Sequence, residues 1–218
     1  MSLLELAGIS HGFGPLPVIR DVSLRLAAGE QLGLLAPSGA GKTTLLQIAS
    51  GLLQPDHGAV LLDGRDVTGE PGSLALMQQE DLLLPWFRLQ ENVALPLRIA
   101  GQAREAAIRR ARTELEVFGL ADFGSYFPAQ LSGGMRQRAS LARTLLQDSP
   151  ALLLDEPFGA LDAITRASLH GWYQRAVQSR GRATLLVTHD VHEAVILCDR
   201  VLVLSERPAR AVGEVRVS

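Results

Sequence analysis

The sequence predicts an α/β fold built on a mainly parallel sheet. Short, continuous apolar runs such as Gln31–Ala36, Ala151–Leu154 and Thr184–Thr188 are typical of strands that are buried on both faces of such a sheet. Helix-like segments separate these runs, and helices are the usual crossover between parallel strands. Further strand-like runs occur at Leu3–Ile9, Val22–Leu26, Ala59–Leu62 and Val201–Leu204.

The middle of the chain has a different pattern. Arg104–Val117 is rich in Ala, Arg and Glu, and its apolar residues recur at helical spacing, which predicts an amphipathic helix. A second helix is predicted to begin at Ser132, because serine favours the N-cap position. We therefore expect a mainly helical subdomain at 85–147. It would be inserted into an α/β core formed by 1–84 and 148–218, whose strands join in one sheet.

The composition indicates a packed globular protein and not a disordered one. Of the 218 residues, 47% are hydrophobic and 20% are charged, and the net charge is -2. So small a net charge gives no overall positive field that would attract nucleic acid or anionic lipid. The single cysteine, Cys198, fits a reducing compartment, and Met1–Glu5 lacks the pattern of a secretory signal. We therefore expect a cytoplasmic protein.

A loop of small residues follows the strand-like run Leu32–Leu35 and leads into the helix-like Leu45–Ala49. This order is the context of a P-loop, in which backbone N–H groups cradle phosphates. Lys42 would neutralise phosphate charge, and the Thr43 hydroxyl would coordinate Mg²⁺. We expect ATP to contact Pro37, Ser38, Gly39, Ala40, Gly41, Lys42, Thr43 and Thr44.

Ala36 departs from the P-loop pattern, which has glycine at its first position. If that position required a left-handed backbone, alanine would cost about 1–2 kcal/mol. The rest of the loop pattern is intact, so we expect the alanine to be tolerated.

Two adjacent carboxylates, Asp155 and Glu156, follow the buried run Ala151–Leu154. Open α/β sheets bind ligands at the carboxyl ends of their strands, which suits this pair for nucleotide chemistry. We expect Asp155 to join the Mg²⁺ shell, usually through water. Glu156 would polarise the water that attacks the γ-phosphate.

The segment Leu131–Gln137 reads Leu-Ser-Gly-Gly-Met-Arg-Gln, and on its own it would indicate only a well-capped helix start. Together with the P-loop and the carboxylate pair, it resembles the ATP-binding subunit of bacterial ABC transporters, whose signature sequence is Leu-Ser-Gly-Gly-Met/Gln. The resemblance covers essentially the whole chain and keeps the motifs in order. It implies a P-loop NTPase sheet core of the ABC ATPase type with an inserted helical subdomain.

The resemblance implies roles for further residues. Phe13 matches an aromatic residue that stacks on adenine, although a core position is an equal alternative for a lone Phe. Gln79 matches the Q-loop glutamine, which links Mg²⁺ and the attacking water to the membrane partner. His189 matches the switch histidine that contacts the γ-phosphate. The other histidines have no metal-ligand spacing and are expected to be incidental: His11, His57, His170 and His192.

ABC ATPases act as head-to-tail dimers with ATP at the interface. The resemblance implies that Ser132, Gly133 and Gly134 close over the ATP of a second copy of the chain. Asp162, in a D-loop-like segment, would also cross the interface, with a helix cap as its alternative role. The residues implied for Mg²⁺ are Thr43, Gln79 and Asp155.

Leu82–Phe87 follows Gln79 and contains Leu-Leu-Pro-Trp, which looks like the importer subgroup for nitrate, sulfonates, taurine and thiamine precursors. In such importers the solute-binding protein and the permease subunits select the solute. We expect transmembrane permease subunits as partners, the solute-binding protein only indirectly, and a peripheral location on the inner face of the cell membrane. Leu82–Phe87 is a candidate docking surface, although Trp86 and Phe87 could equally be subdomain core.

Two other functions fit part of the sequence. A soluble ABC ATPase of DNA repair or translation would couple the same motifs to nucleic acid, but such proteins usually carry a long coiled-coil insertion or a second cassette. A basic stripe exists only at Arg104–Arg112, and a solvated helix face explains it more simply, so no nucleic-acid partner is expected. A P-loop kinase would leave Leu131–Gln137 and His189 unexplained.

Overall fold

Strands and α-helices make up most of the chain that the computed structural model describes, which is residues 2–159, 163–177 and 181–217. Strands β1 to β10 are Ser2–Phe13, Leu16–Ala27, Gln31–Leu35, His57–Leu62, Arg65–Asp66, Ala75–Met77, Ala151–Asp155, Ala183–Thr188, Arg200–Leu204 and Ala211–Arg216. Helices α1 to α6 are Lys42–Ala49, Leu89–Ile99, Arg104–Val117, Gly133–Leu145, Ala163–Ala176 and Val191–Leu197.

The strands form two sheets, so the prediction of a single sheet is wrong. One sheet is antiparallel and has the order β2-β1-β4-β5, and the other has the order β10-β9-β3-β8-β7-β6. The physical reason lies in the apolar pattern of the first strands. In β2 the buried Val22, Leu24 and Leu26 alternate with exposed residues. Such alternation suits an antiparallel sheet with one covered face, whereas parallel strands are buried on both faces.

The parallel strands of the second sheet bring three loops to one edge. Strand β8 pairs in parallel with both β3 and β7, so the carboxyl ends of these strands lie side by side. Every residue of β7 and of β8 is buried, as their continuous apolar runs predicted. Ligands of open α/β sheets bind at this edge, and the loops after β3, β7 and β8 therefore carry the candidate site.

The helices of the middle segment follow their sequence pattern closely. Helix α3 spans Arg104–Val117, the bounds that the apolar spacing predicted, and it buries Ala111 and Leu115. Helix α4 begins directly after Ser132, so the predicted helix start is confirmed. Within the described ranges, no helix combines the length and the apolar character that crossing a membrane requires.

The chain divides into two compact units. The first comprises Met1–Leu76, Ser149–Glu156 and Gly181–Ser218, and the second comprises Met77–Asp148 and Pro157–Arg180. The functional division drawn from the sequence, with 85–147 as an inserted subdomain, stays a prediction.

Each unit has its own buried interior. In the first unit, Leu34, Leu153 and Leu185 of neighbouring parallel strands belong to one apolar core together with Ile48 of α1. In the second unit, the buried Asn92 of α2 fixes the preceding loop. Its side-chain oxygen accepts a hydrogen bond from the Leu84 N–H at 2.7 Å, and its Nδ2 donates to the Leu84 carbonyl at 3.1 Å.

Candidate functional site

The loop between β3 and α1 has the backbone that its glycines allow. Gly39 and Gly41 have φ angles of 77° and 105°, a region that residues with a side chain rarely adopt. A Cβ at Gly41 would also lie only 2.7 Å from Cγ1 of Val18. Ala36 does not have a positive φ, so the left-handed strain considered for this position is not present.

Lys42 is buried, and its ammonium group has three polar contacts within the first unit. Its Nζ donates to the carbonyl oxygens of Ala36 and Pro37, each at 3.0 Å, and lies 3.1 Å from Oε1 of Glu156. Only 5% of the lysine side chain is exposed. The cation is therefore held at the first turn of α1, directly beside the loop.

Thr43 and Asp155 are joined by a short hydrogen bond. The Thr43 Oγ1 donates to Oδ2 of Asp155 at 2.7 Å, which brings a hydroxyl and a carboxylate together at the edge of the sheet. Burial raises the pKa of the Asp155 carboxyl. The hydrogen bond from Thr43 and the charge of Lys42 lower this pKa, whereas the charge of Glu156 raises it further.

Glu156 lies between a lysine and a histidine. Its Oε2 is 3.1 Å from Nδ1 of His189, and its Oε1 faces Lys42. The residue has a φ of 44°, which is uncommon for a side chain other than glycine, and its N–H donates to the Val187 carbonyl at 2.9 Å. Strained backbone of this kind is concentrated at functional sites.

The His189 loop is held by a residue that the sequence analysis did not identify, Glu193. Thr188 Oγ1 donates to Oε2 of the buried Glu193 at 2.6 Å, and the Asp190 N–H donates back to Thr188 Oγ1 at 3.0 Å. Asp190 also caps α6 by accepting from the His192 N–H at 2.8 Å. An acidic residue in the first turn of the next helix is the sequence signal that could have revealed this support.

Phe13 ends β1 in the first unit and is 54% exposed, which excludes the core alternative. Its ring contacts His11 with centroids 4.9 Å apart and planes at 88°. His11 was expected to be incidental, so this contact adds it to the candidate residues.

The remaining predicted residues belong mainly to the second unit. Ser132 Oγ accepts a hydrogen bond from the Met135 N–H at 3.3 Å, and Gly133 and Gly134 form the first turn of α4. Gln79 and Gly133 line the same cavity of about 630 Å³. Asp162, with Ala160 and Leu161 of its D-loop-like segment, lies outside the described residues.

The candidate docking surface is partly exposed. Trp86 is 68% exposed, which excludes the core alternative for this residue, whereas Phe87 is half-buried. Leu82 is 47% exposed and has a φ of 45°. The segment Leu82–Phe87 therefore exposes two large apolar side chains, those of Leu82 and Trp86.

The chain is similar to proteins of one family over most of its length. A family model described as ABC transporter matches residues 19–159. The taurine import ATP-binding protein of Pseudomonas aeruginosa is 44% identical over 200 residues, which are 92% of this chain and 76% of that protein. The aliphatic sulfonates import ATP-binding protein of Rhodococcus jostii is 46% identical over 204 residues, which are 94% of this chain and 80% of that protein.

A solved structure has the same fold over nearly the whole chain. It is a dimer of the ATP-binding cassette MJ0796 in a post-hydrolysis state bound to ADP and Pi. Its TM-score is 0.87 at 27% identity, and the match covers 99% of each chain. The α/β fold with a P-loop core that the sequence predicted is therefore confirmed.

Proposed function

Because this chain belongs to the ABC transporter family, as an ATP-hydrolysing subunit, we propose that it binds ATP at the carboxyl ends of β3, β7 and β8 to drive solute import. The observation that carries the proposal is the arrangement around Glu156. Its carboxylate lies 3.1 Å from the cation of Lys42 and 3.1 Å from the ring of His189. This arrangement supports a site in which binding and proton-transfer groups act on one substrate.

The P-loop backbone and Lys42 bind the phosphates of ATP in this proposal. The loop amides supply hydrogen-bond donors at the start of α1, where the helix dipole also favours negative charge. Lys42 contributes a buried positive charge at the same point. Phe13, exposed at the end of β1, stacks on the adenine base.

ABC ATPases generally use Mg²⁺ with ATP, and the residues present fit this ion. Thr43 and Asp155 offer a hydroxyl and a carboxylate oxygen 2.7 Å apart, and Mg²⁺ prefers such hard oxygen ligands. Thr43, Asp155 and Gln79 would hold the ion, directly or through water. When bound, it would neutralise charge that develops on the phosphates during transfer.

Hydrolysis requires a proton acceptor and a group that senses the γ-phosphate. Glu156 accepts a proton from the attacking water, and a positioned base of this kind contributes about 10²–10⁴ to the rate. His189 is 49% exposed and hydrogen-bonded through Nδ1 to Glu156. It is therefore anchored through Nδ1, and its half-exposed ring offers Nε2 to a phosphate oxygen.

Two copies of the chain close over two ATP molecules in the proposed active form. Ser132, Gly133 and Gly134 of one copy contact the nucleotide held by the other, and Asp162 crosses the interface. The dimeric state of MJ0796 supports this homodimer. Each ATP contacts both copies only in the closed dimer, so its hydrolysis weakens the interface. The opening of the dimer then provides the movement that a partner uses.

The partners of this dimer are transmembrane permease subunits, which hold it at the cytoplasmic face of the membrane. Leu82–Phe87, with the exposed Trp86, is the proposed docking segment. Two relatives are import proteins for taurine and for aliphatic sulfonates. The cargo proposed here is a small solute of the nitrate, sulfonate, taurine or thiamine-precursor type, recognised by the permease and its solute-binding protein.

The Glu156→Gln variant tests the proposal. It keeps the shape of the side chain but removes the base, so ATP turnover should fall by about 10²–10⁴ while ATP still binds. Light scattering behind a sizing column should then show a dimer with Mg-ATP and a monomer without nucleotide. The matched control is Glu116→Gln, which removes the same charge from an exposed side chain of α3 and should leave turnover unchanged. Wild-type turnover in Glu156→Gln would overturn the assignment of the base, and a mass independent of nucleotide would overturn the shared site.

A further inference from the structure

The exposed Phe13 ring is supported from one side by His11. The two rings meet edge to face, with centroids 4.9 Å apart and planes at 88°, a favourable geometry for an aromatic pair. Phe13 itself is 54% exposed, whereas His11 is only 9% exposed. The contact therefore connects a solvent-facing ring to a side chain that is fixed in the protein.

His11 is an unusual residue for a purely structural position. Among the described residues, neither of its ring nitrogens has a hydrogen-bond partner, although both atoms are buried. Nδ1 of His11 lies 3.5 Å from Oδ1 of Asp56, which is longer than a well-formed hydrogen bond. A buried polar side chain without hydrogen bonds is uncommon and points to a role for the ring itself, which contacts Phe13.

Asp56 holds the backbone on both sides of His11. Its Oδ2 accepts a hydrogen bond from the Gly12 N–H at 2.9 Å, and its own N–H donates to the Ser10 carbonyl at 2.9 Å. Gly12 has no room for a side chain, because a Cβ would lie 2.8 Å from the Leu16 carbonyl oxygen. The backbone that leads into Phe13 is therefore fixed by an anchor outside the β1–β2 hairpin.

We infer that His11 and Asp56 are positioning residues for nucleotide binding, because they hold the Phe13 ring in the orientation that stacks on adenine. This inference rests on the proposed role of Phe13. His11 fixes the plane of the ring, and Asp56 fixes the strand end that carries it. Neither residue contacts the phosphates in this assignment, so both should affect affinity only for ligands that contain the base.

Calorimetric titration with Mg-ATP and with magnesium triphosphate, which lacks the base, tests this assignment. His11→Leu keeps an apolar side chain but removes the aromatic edge, and it should weaken ATP binding by about 2- to 10-fold. Triphosphate binding should be unchanged. His11→Phe restores an aromatic ring and should recover most of the ATP affinity. The matched control is His57→Leu, because His57 is an exposed histidine that lines one cavity together with His11, and this variant should change neither affinity.

A second pair of variants tests the anchor without altering a buried side chain. Asp56 is 57% exposed, so Asp56→Ala should fold, and it should weaken ATP binding but not triphosphate binding. Asp56→Asn keeps an oxygen acceptor for the Gly12 N–H and should retain ATP affinity.

The outcomes separate this inference from the proposed function. If Phe13→Ala leaves ATP affinity unchanged, the stacking role of Phe13 is overturned and the inference with it. If Phe13→Ala weakens ATP binding while His11→Leu and Asp56→Ala do not, only the inference is overturned. Equal losses for ATP and for triphosphate would assign His11 and Asp56 to general stability and would also overturn it.

Discussion

The Nζ of Lys42 lies 3.1 Å from Oε1 of Glu156, and the two side chains are only 5% and 13% exposed. A buried ion pair does not by itself stabilise a fold strongly, because removing two charges from water costs nearly as much as their attraction returns. Removing one partner alone is far more costly, since the other charge stays buried without compensation. The pair therefore couples two side chains that we assign to different steps, phosphate binding and proton transfer.

This coupling predicts the stability of Lys42→Met. The variant leaves Glu156 without its lysine, and the free energy of unfolding should fall by about 1–3 kcal/mol. Combining it with Glu156→Gln removes the uncompensated charge, so the double variant should be more stable than the sum of the single effects predicts. Urea unfolding of the wild type, both single variants and the double variant gives the coupling energy, expected at about 0.5–3 kcal/mol. Additive effects would mean that the ion pair makes no contribution in solution.

The raised pKa of Asp155 predicts a pH-dependent stabilisation by Asp155→Asn. Burial lifts the folded-state pKa above its ordinary value of 3.8, so the folded protein holds this proton more firmly than the unfolded chain does. Stability from this group is therefore present below pH 3.8 and is lost as the pH rises through the folded-state pKa. At pH 7, Asp155→Asn should raise the free energy of unfolding by about 0.5–2 kcal/mol, a common size for substitutions that relieve an active-site cost.

The gain from Asp155→Asn should shrink as the pH is lowered toward 4, and thermal unfolding at several pH values measures this change. Asp66→Asn is the control of opposite sign, because hydrogen bonds from Thr68 lower the pKa of Asp66. Its substitution should reduce stability at pH 7 and lose this effect in acid. A gain for Asp155→Asn that is constant with pH would contradict the assignment.

The sequence predicted the local parts of this structure better than their arrangement. The bounds of α3 and the start of α4 at Ser132 depend on spacing and capping within a few residues, and both predictions were confirmed. The division of the strands into two sheets was missed because a short apolar run has much the same sequence pattern in an antiparallel sheet as in a parallel one. The alternation of buried and exposed residues over Val22–Ala27 distinguishes β2 from the fully buried β7.

For the candidate site, too, single residues were predicted better than the contacts between them. That Asp155 and Glu156 would end a buried strand followed from Ala151–Leu154 and the two acids after it. The contact between Lys42 and Glu156 could not be predicted from the sequence, because it depends on the sheet order β3-β8-β7, which no local pattern contains. The support of Phe13 by His11 was missed because an isolated histidine has no spacing signal that distinguishes it from an incidental one.

The cap of α4 predicts the effect of Ser132→Ala on the second unit. The serine Oγ accepts from the Met135 N–H at 3.3 Å and satisfies one of the amides that a helix start leaves free. Its loss should lower the free energy of unfolding by about 1 kcal/mol. Ser132→Asn keeps a capping oxygen and should retain most of the stability, as urea unfolding of both variants would measure. Equal losses for the two variants would indicate that the cap itself contributes nothing.

The backbone at Ala36 predicts that restoring the usual P-loop glycine brings no benefit. Ala36 does not have a positive φ, so Ala36→Gly relieves no strain. Glycine gives the unfolded chain more conformations to lose, so the free energy of unfolding should fall by about 0.4–1 kcal/mol. ATP turnover should be unchanged, because the Ala36 carbonyl that accepts from Lys42 at 3.0 Å is a backbone group and is retained. A variant with faster turnover would show that the alanine restricts the loop during the reaction.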